Sequence, residues 1–154
     1  AAQVIVSEPI AHRREKALEN GATTVIDPTR QDVDTELRKI RRIGADVVFE
    51  AAGNLRLQAA AVHYARRGGQ VVWFGCSPMD GVIEINPYYV NDAEIKITGS
   101  FNNPFATARA IHMLANGKVR VDNLISHRFA LADYPAVFST FGGPQTLKLM
   151  VSME

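Results

Sequence analysis

Short β-branched runs alternate with amphipathic helical patterns along the chain, and that alternation restricts the fold more than any other feature. Val4–Val6, Thr23–Ile26, Asp46–Glu50, Gln70–Phe74 and Glu94–Thr98 read as strands bounded by turn residues. Between them, Ile10–Asn20, Asp32–Arg42 and Leu55–Ala65 carry apolar residues at helical spacing. The first of these helices opens behind Pro9 and stops at Asn20-Gly21; the third is rich in alanine, suits close packing on a sheet, and ends at Arg66-Arg67-Gly68-Gly69. Strand and helix at this spacing predict an α/β fold: a mostly parallel sheet with helices on both faces and right-handed crossovers.

The pattern loosens afterwards. Val82–Ile85 reads as a brief extended piece before Asn86-Pro87, and a helix is expected from about Phe105 to Asn116. Leu124–Phe129 looks extended, Asp133 can cap a helix with Pro135 in its first turn, and Leu147–Val151 reads as a last strand. Ligands of parallel sheets sit beyond the carboxyl ends of the strands. The candidate positions are therefore Ser7-Glu8, Asp27, Ala51–Gly53, Gly75-Cys76 and Ser100-Phe101.

Glu8 has two readings. At the end of the first strand its carboxylate can accept hydrogen bonds from both hydroxyls of an adenosine ribose and repel a 2′-phosphate. It can equally serve a helix start, with Ser7 as the N-cap. The stretch alone does not decide between them. Arg13 either flanks the adenosine or is a solvated helix charge. The small residues Ala51-Ala52-Gly53 and Gly75 would let a flat ligand approach the strand ends, or are ordinary turn chemistry.

Other chemistries find little support. A net charge of +1 gives no electrostatic argument for nucleic acid or an anionic membrane. No apolar run approaches the roughly 20 residues of a spanning helix, and no signal-peptide pattern opens the sequence. The single cysteine, Cys76, excludes an internal disulfide framework and reads as a buried or half-buried structural thiol. His12, His63, His112 and His127 are scattered without the spacing of a metal site, and His12 and His112 are expected on exposed helix positions. Asp46 and Glu50 share a strand face, with nothing to suggest paired acid–base work.

Several strings together resemble the medium-chain dehydrogenase superfamily. They are Val4-Ile5-Val6-Ser7-Glu8-Pro9, Arg13-Arg14, Asn20-Gly21-Ala22, Val25-Ile26-Asp27-Pro28, the run Gly44 to Gly53, Gly68-Gly69-Gln70-Val71-Val72 and Phe74-Gly75. Asn86-Pro87 and Glu94 to Phe101 resemble its zinc-dependent alcohol, polyol and threonine dehydrogenase branch. The resemblance implies a Rossmann-like doubly wound parallel sheet and an oxidoreductase passing hydride between a secondary alcohol and NAD. Glu8 would then be the ribose-binding acid, favouring NAD over NADP, and Arg13 the basic residue beside the adenosine. Ala51 and Gly53 would face the cofactor. Phe74 and Gly75 would lie near the nicotinamide ribose, the backbone at Ser100 and Phe101 would hold the carboxamide, and Lys148 would reach the pyrophosphate. The stretch from Val82 to Ser100 is similar to the part that pairs subunits in family dimers.

The Gly-rich phosphate turn of the family, about 20 residues before the ribose acid, and the βα unit around it are not in this sequence. Neither are the family's zinc ligands. The expectation is a C-terminal part of a longer zinc enzyme that lacks the first βα unit. Residues 1–115 would be a partial NAD-binding domain and 116–154 a segment packing on the catalytic domain. Strands Val4–Ser7 and Asp46–Ala51 would then have unpaired edges. This chain alone is expected to be inactive. The parent would be a cytoplasmic homodimer or homotetramer acting on a small alcohol or polyol. A zinc-free NADPH-dependent quinone or enoyl reductase, or a non-catalytic binding and assembly module, stand as alternatives.

Overall fold

The computed structural model describes residues 1–101 and 105–153. The chain divides into two compact units, Ala1–Gln31 with Ala106–Glu154, and Asp32–Phe105.

In the first unit, β1 (Ile5–Ser7) and β2 (Thr24–Ile26) form a parallel pair, joined by α1 (Ala11–Glu19). The pair is short because each strand has only three β-branched or small residues before a polar turn. Val4 and Thr23 lock its start: the Thr23 Oγ1 accepts from the Val4 amide at 3.0 Å and donates to the Val4 carbonyl at 2.9 Å. Ile26, at the end of β2, is 2 % exposed and anchors the unit's apolar side. The later segments supply α5 (Ala106–Ala115), a second parallel pair of β6 (Ile125–Ala130) and β7 (Lys148–Ser152), and α6 (Tyr134–Thr140) between them. Asp133 precedes α6 but makes no side-chain capping bond.

The second unit is a three-stranded parallel sheet in the order β3-β4-β5, from β3 (Ala45–Glu50), β4 (Ala65–Trp73) and β5 (Lys96–Gly99). α2 (Val33–Ile40) begins where the Asp32 carboxylate accepts from the Thr35 amide at 2.8 Å, as its position after a strand and turn predicts. α3 (Leu55–Tyr64) is capped by Asn54, whose side-chain oxygen accepts from the amides of Arg56 and Leu57. Its alanines allow the close approach expected of it. Ala61 and Val62 bury with Ala65, Val71, Ala93 and Ile95 in one cluster, edged by Trp73, Tyr89 and Ile97. Removing a valine-sized side chain such as Val62 or Val71 from water contributes about 1.5–3 kcal/mol each.

Two features depart from the expected pattern. β4 starts directly at Ala65, where a helix-ending turn was expected. The register jumps from Ala45↔Ala65 to Val47↔Gln70, so Arg66–Gly69 form a bulge in the strand. Gly68 takes φ +68° there and its amide donates to the Ala93 carbonyl at 2.8 Å. Arg66 pairs with Asp46 at 2.5 Å and Arg67 with Asp92 at 2.7 Å. Arg66 Nη1 also donates to the Arg67 carbonyl at 2.6 Å, so this bond and that of the Gly68 amide occupy bulge backbone groups that a free turn would leave to water. The second is α4 (Pro87–Asp92), unexpected from periodicity because it is only 6 residues long. Its signal was in Asn86-Pro87: Asn86 accepts from the Tyr88 amide at 2.9 Å, and the proline occupies the first turn.

Among the described residues, β1 hydrogen-bonds only to β2 and β3 only to β4, so each keeps an edge without a strand partner. Val47 and Phe49 on β3 are 46 % and 68 % exposed. No helix among the described residues is long and apolar enough to cross a membrane.

Candidate functional site

Glu8, Arg13 and Lys148 fall in the first unit; Ala51, Gly53, Phe74, Gly75, Ser100 and Phe101 fall in the second. Each group is built differently.

Glu8 leaves the end of β1 and is held at three atoms. Its amide donates to the Ile26 carbonyl at 3.1 Å. Its own carbonyl accepts from Arg14 Nη1 at 2.7 Å. Its Oε1 accepts from the Ile10 amide at 2.9 Å. Ile10 is the N-cap position of α1 and offers no side-chain cap, so the Glu8 carboxylate does the capping that the sequence assigned to Ser7. The helix-start reading of Glu8 is therefore seen in the structure, with Glu8 itself as the capping group. One carboxylate oxygen serves the helix start, and that bond orients the whole group. Arg13 lies one turn on and sends Nε and Nη2 to the Thr146 carbonyl, at 3.3 and 3.2 Å. That is a tether from α1 to the segment before β7, a role the sequence did not reveal. Lys148 opens β7 opposite Ile125 and is exposed. His12, expected on the surface, is half-buried beside Glu15 at 3.8 Å.

Asp27 follows β2. Its carboxyl lies below the usual carboxylate range because the Thr29 hydroxyl and amide donate to it and the Arg14 and Arg30 guanidiniums face it. Arg14 Nη2 approaches its Oδ2 to 2.9 Å, and both side chains are mostly shielded. Asp46 and Asp92 are lowered too, each by hydrogen bond and charge from Arg66 and Arg67 respectively. A lowered carboxyl contributes stability above its unfolded value, 3.8 for these aspartates, and loses it as pH falls towards the folded value. The melting temperature should therefore hold between about pH 7 and 5 and fall below about pH 4. Circular dichroism melts across that range check this, and Asp27→Asn should flatten part of the decline.

In the second unit the loops after β3 and β4 close on one another. A Cβ on Gly75 would stand 2.0 Å from the Gly53 amide nitrogen, and one on Gly53 would stand 2.2 Å from the Cys76 carbonyl oxygen. Gly53 also takes φ +69°. The glycines are thus required by loop-on-loop packing, a cause that neither ligand approach nor plain turn chemistry anticipated. Glu50 braces both loops. Its carboxylate accepts from the amides of Ala52 at 2.8 Å and Gly53 at 3.2 Å. Its carbonyl accepts from the amides of Phe74 and Gly75, both at 2.8 Å. At 5 % exposure it is buried, whereas Asp46, on the same strand face, is exposed and ion-paired.

Gln58 is the other residue that sequence reasoning missed. It is buried on α3 and donates Nε2 to Ser77 Oγ at 2.5 Å, while its backbone carbonyl accepts the Trp73 indole N–H at 3.3 Å. A glutamine inside an alanine-rich helix was the only signal. Ser100 continues the row of strand ends, its amide donating to the Trp73 carbonyl at 3.0 Å. Phe74 and Phe101 stand 60 % and 72 % exposed beside these loops. Cys76 is exposed, contrary to the expected buried or half-buried thiol.

A cavity of about 380 Å³ lined by Ile43, Arg66 and Arg67 lies at the amino end of the sheet, away from these loops. Its walls are the arginines of the β4 bulge, already engaged with carboxylates. The described residues contain no group of three His, Cys, Asp or Glu that could hold a metal.

Comparison with known proteins adds the rest. The family model described as zinc-binding dehydrogenase matches residues 1–116. Sorbitol dehydrogenase of Bacillus subtilis (strain 168) is 33 % identical over 132 residues, covering 85 % of this chain and 37 % of that protein. D-arabinitol dehydrogenase 1 of Uromyces fabae is 29 % identical over 135 residues, covering 86 % and 39 %. A solved structure from Sinorhizobium meliloti 1021, bound to NADP, superposes with a TM-score of 0.92 at 34 % identity, over 98 % of this chain and 45 % of that one. The chain thus spans well under half the length of the curated relatives it matches. The parallel ladders and crossover helices are those of the Rossmann-like α/β fold expected from the sequence.

Proposed function

The chain belongs to the zinc-binding dehydrogenase family, and on that premise we propose that it is the cofactor-binding part of an NAD-dependent alcohol or polyol dehydrogenase. The parent enzyme passes hydride between a secondary alcohol and NAD. The sorbitol and D-arabinitol dehydrogenases among its relatives support a polyol substrate. Residues 1–115 are the partial cofactor domain, and 116–154 join it to a catalytic domain outside this chain. Zinc, where the parent uses it, polarises the alcohol oxygen. The described residues of this chain do not fit a zinc site.

The observation that carries the reading is the fixed carboxylate of Glu8 at the carboxyl end of β1. Strand ends are where parallel sheets bind ligands, and a carboxylate already oriented by one bond takes ribose hydroxyls without further ordering. Arg13 flanks the adenosine. Ala51, Gly53, Phe74 and Gly75 form the surface under the nicotinamide half, the backbone of Ser100 and Phe101 holds the carboxamide, and Lys148 serves the pyrophosphate. A cytoplasmic parent accords with a lone free thiol. Subunit pairing into a dimer or tetramer accords with the exposed apolar residues Met79, Val82 and Tyr88.

One observation favours a second reading: the similar Sinorhizobium meliloti structure is bound to NADP, as an NADPH-dependent reductase would be. Dissociation constants of NAD and NADP for the full-length protein separate the two. Tighter NAD binding, with Glu8→Gln narrowing the preference about tenfold, is the expected result. Tighter NADP binding by the unmodified protein overturns it.

A further inference from the structure

Arg14 is a charged residue that the proposed cofactor contacts do not use. It lies in the first turn of α1, where an exposed arginine would be unremarkable, yet its side chain is only 17 % exposed. Its guanidinium is spent on two partners. Nη1 donates to the Glu8 carbonyl at 2.7 Å, and Nη2 meets Asp27 Oδ2 at 2.9 Å. Asp27 in turn is fixed from its other oxygen, which accepts from the Thr29 amide at 3.0 Å and hydroxyl at 2.6 Å. The result is a strut from the loop after β2, through one planar fork, to the backbone of the residue that ends β1. A lysine cannot reproduce it, because a point charge on a flexible stem does not hold two acceptors in a fixed plane.

The strut has a second consequence. Arg14 places a positive charge within hydrogen-bonding reach of the Glu8 backbone carbonyl, and a free guanidinium there would attract a 2′-phosphate. The Asp27 carboxylate neutralises that charge, and shielding of the pair from solvent keeps its partner from exchanging with water.

We propose that Arg14 and Asp27 are specificity-determining positioning residues. The strut fixes the Glu8 backbone from which the carboxylate, oriented by the Ile10 amide, reaches the ribose hydroxyls, and it withholds the Arg14 charge from the phosphate of NADP. The inference rests on the reading of Glu8 as the ribose-binding acid and adds what fixes that acid's selectivity.

The test is a double-mutant cycle on the full-length protein, with NAD and NADP dissociation constants measured by titration calorimetry and melting temperature measured alongside. Arg14→Met should weaken NAD about tenfold and leave NADP nearly unchanged. Asp27→Asn should keep NAD within about threefold and tighten NADP, since it frees the guanidinium. Arg14→Lys should not restore the NAD preference. In a Glu8→Gln background, Arg14→Met should change the NAD-to-NADP ratio no further. Equal weakening of both cofactors in Arg14→Met, tracking a lower melting temperature, would show a merely structural strut and overturn the proposal. So would an undiminished Arg14→Met effect on the ratio in the Glu8→Gln background. If Glu8→Gln by itself leaves the ratio unchanged, the ribose reading falls and the proposal with it. If Glu8→Gln shifts the ratio and neither strut variant does, the proposal alone falls.

Discussion

Gly75→Ala is expected to destabilise the protein by about 4 kcal/mol, the upper range for one substitution, although it adds a single methyl group. The reason is where that methyl must go. Its three nearest neighbours are the Gly53 nitrogen at 2.0 Å, the Gly53 Cα at 2.7 Å and the Ala51 carbonyl carbon at 2.9 Å. All three are backbone, so no side chain can rotate away. The loops after β3 and β4 must separate instead, and the bonds that join them through Glu50 are lost with the contact. Gly99→Ala is the control. It sits on β5 in the same sheet with nothing within 4 Å of an added Cβ, and should change stability by less than about 1 kcal/mol. Urea unfolding of both variants checks the pair. Equal midpoints would mean that the two loops are not packed as described. On the proposed cofactor contacts, NAD binding by the full-length Gly75→Ala variant should fall as well, because the displaced loops carry Ala51, Gly53 and Phe74.

How far the sequence could be read depended on whether a feature was local. Strands such as Thr24–Ile26 and Lys96–Gly99, and helices such as Val33–Ile40, lie within a few residues of where periodicity put them, because alternation and capping are properties of neighbouring residues. The small residues at the strand ends were legible as a place, but not in their cause. Gly53 and Gly75 lie 22 positions apart, and nothing in either stretch says that one backbone rests on the other. The bulge at Arg66–Gly69 read as a helix stop because two arginines and two glycines are good stop chemistry. What makes it a strand is a set of partners, Asp46, Asp92 and Ala93, up to 25 residues away. Glu8 was legible as a carboxylate with two possible duties, and the structure shows the helix-capping one occupied by a single oxygen. Arg13 could be placed on α1, but its tether to Thr146 joins positions 133 residues apart, beyond any local pattern.

Glu50 is the clearest case of a role set by tertiary structure, and its removal is the second large effect. From the sequence it and Asp46 are equivalent strand carboxylates. In the fold they differ by burial: Asp46 meets Arg66 in solvent, and Glu50 is enclosed at 5 % exposure with backbone amides as its acceptors' partners. Glu50→Ala withdraws a charged acceptor from the Ala52 and Gly53 amides and opens a void beneath the turn. A lost charge-assisted bond is worth about 1.5–3 kcal/mol and the void adds to it, so a loss of about 3 kcal/mol is expected. Asp46→Ala removes an exposed ion pair and should lose less than about 1 kcal/mol. Glu50→Gln keeps the shape and one acceptor oxygen, and should recover roughly half of the loss. Urea midpoints order the three variants. Hydrogen exchange locates the effect, with faster exchange expected at the Ala52 and Gly53 amides in Glu50→Ala and unchanged exchange at the Val71 amide in the sheet's centre. If Asp46→Ala proved as damaging as Glu50→Ala, the difference in burial would not govern the two carboxylates, and Glu50 could not be the residue that keeps the β3 and β4 loops closed.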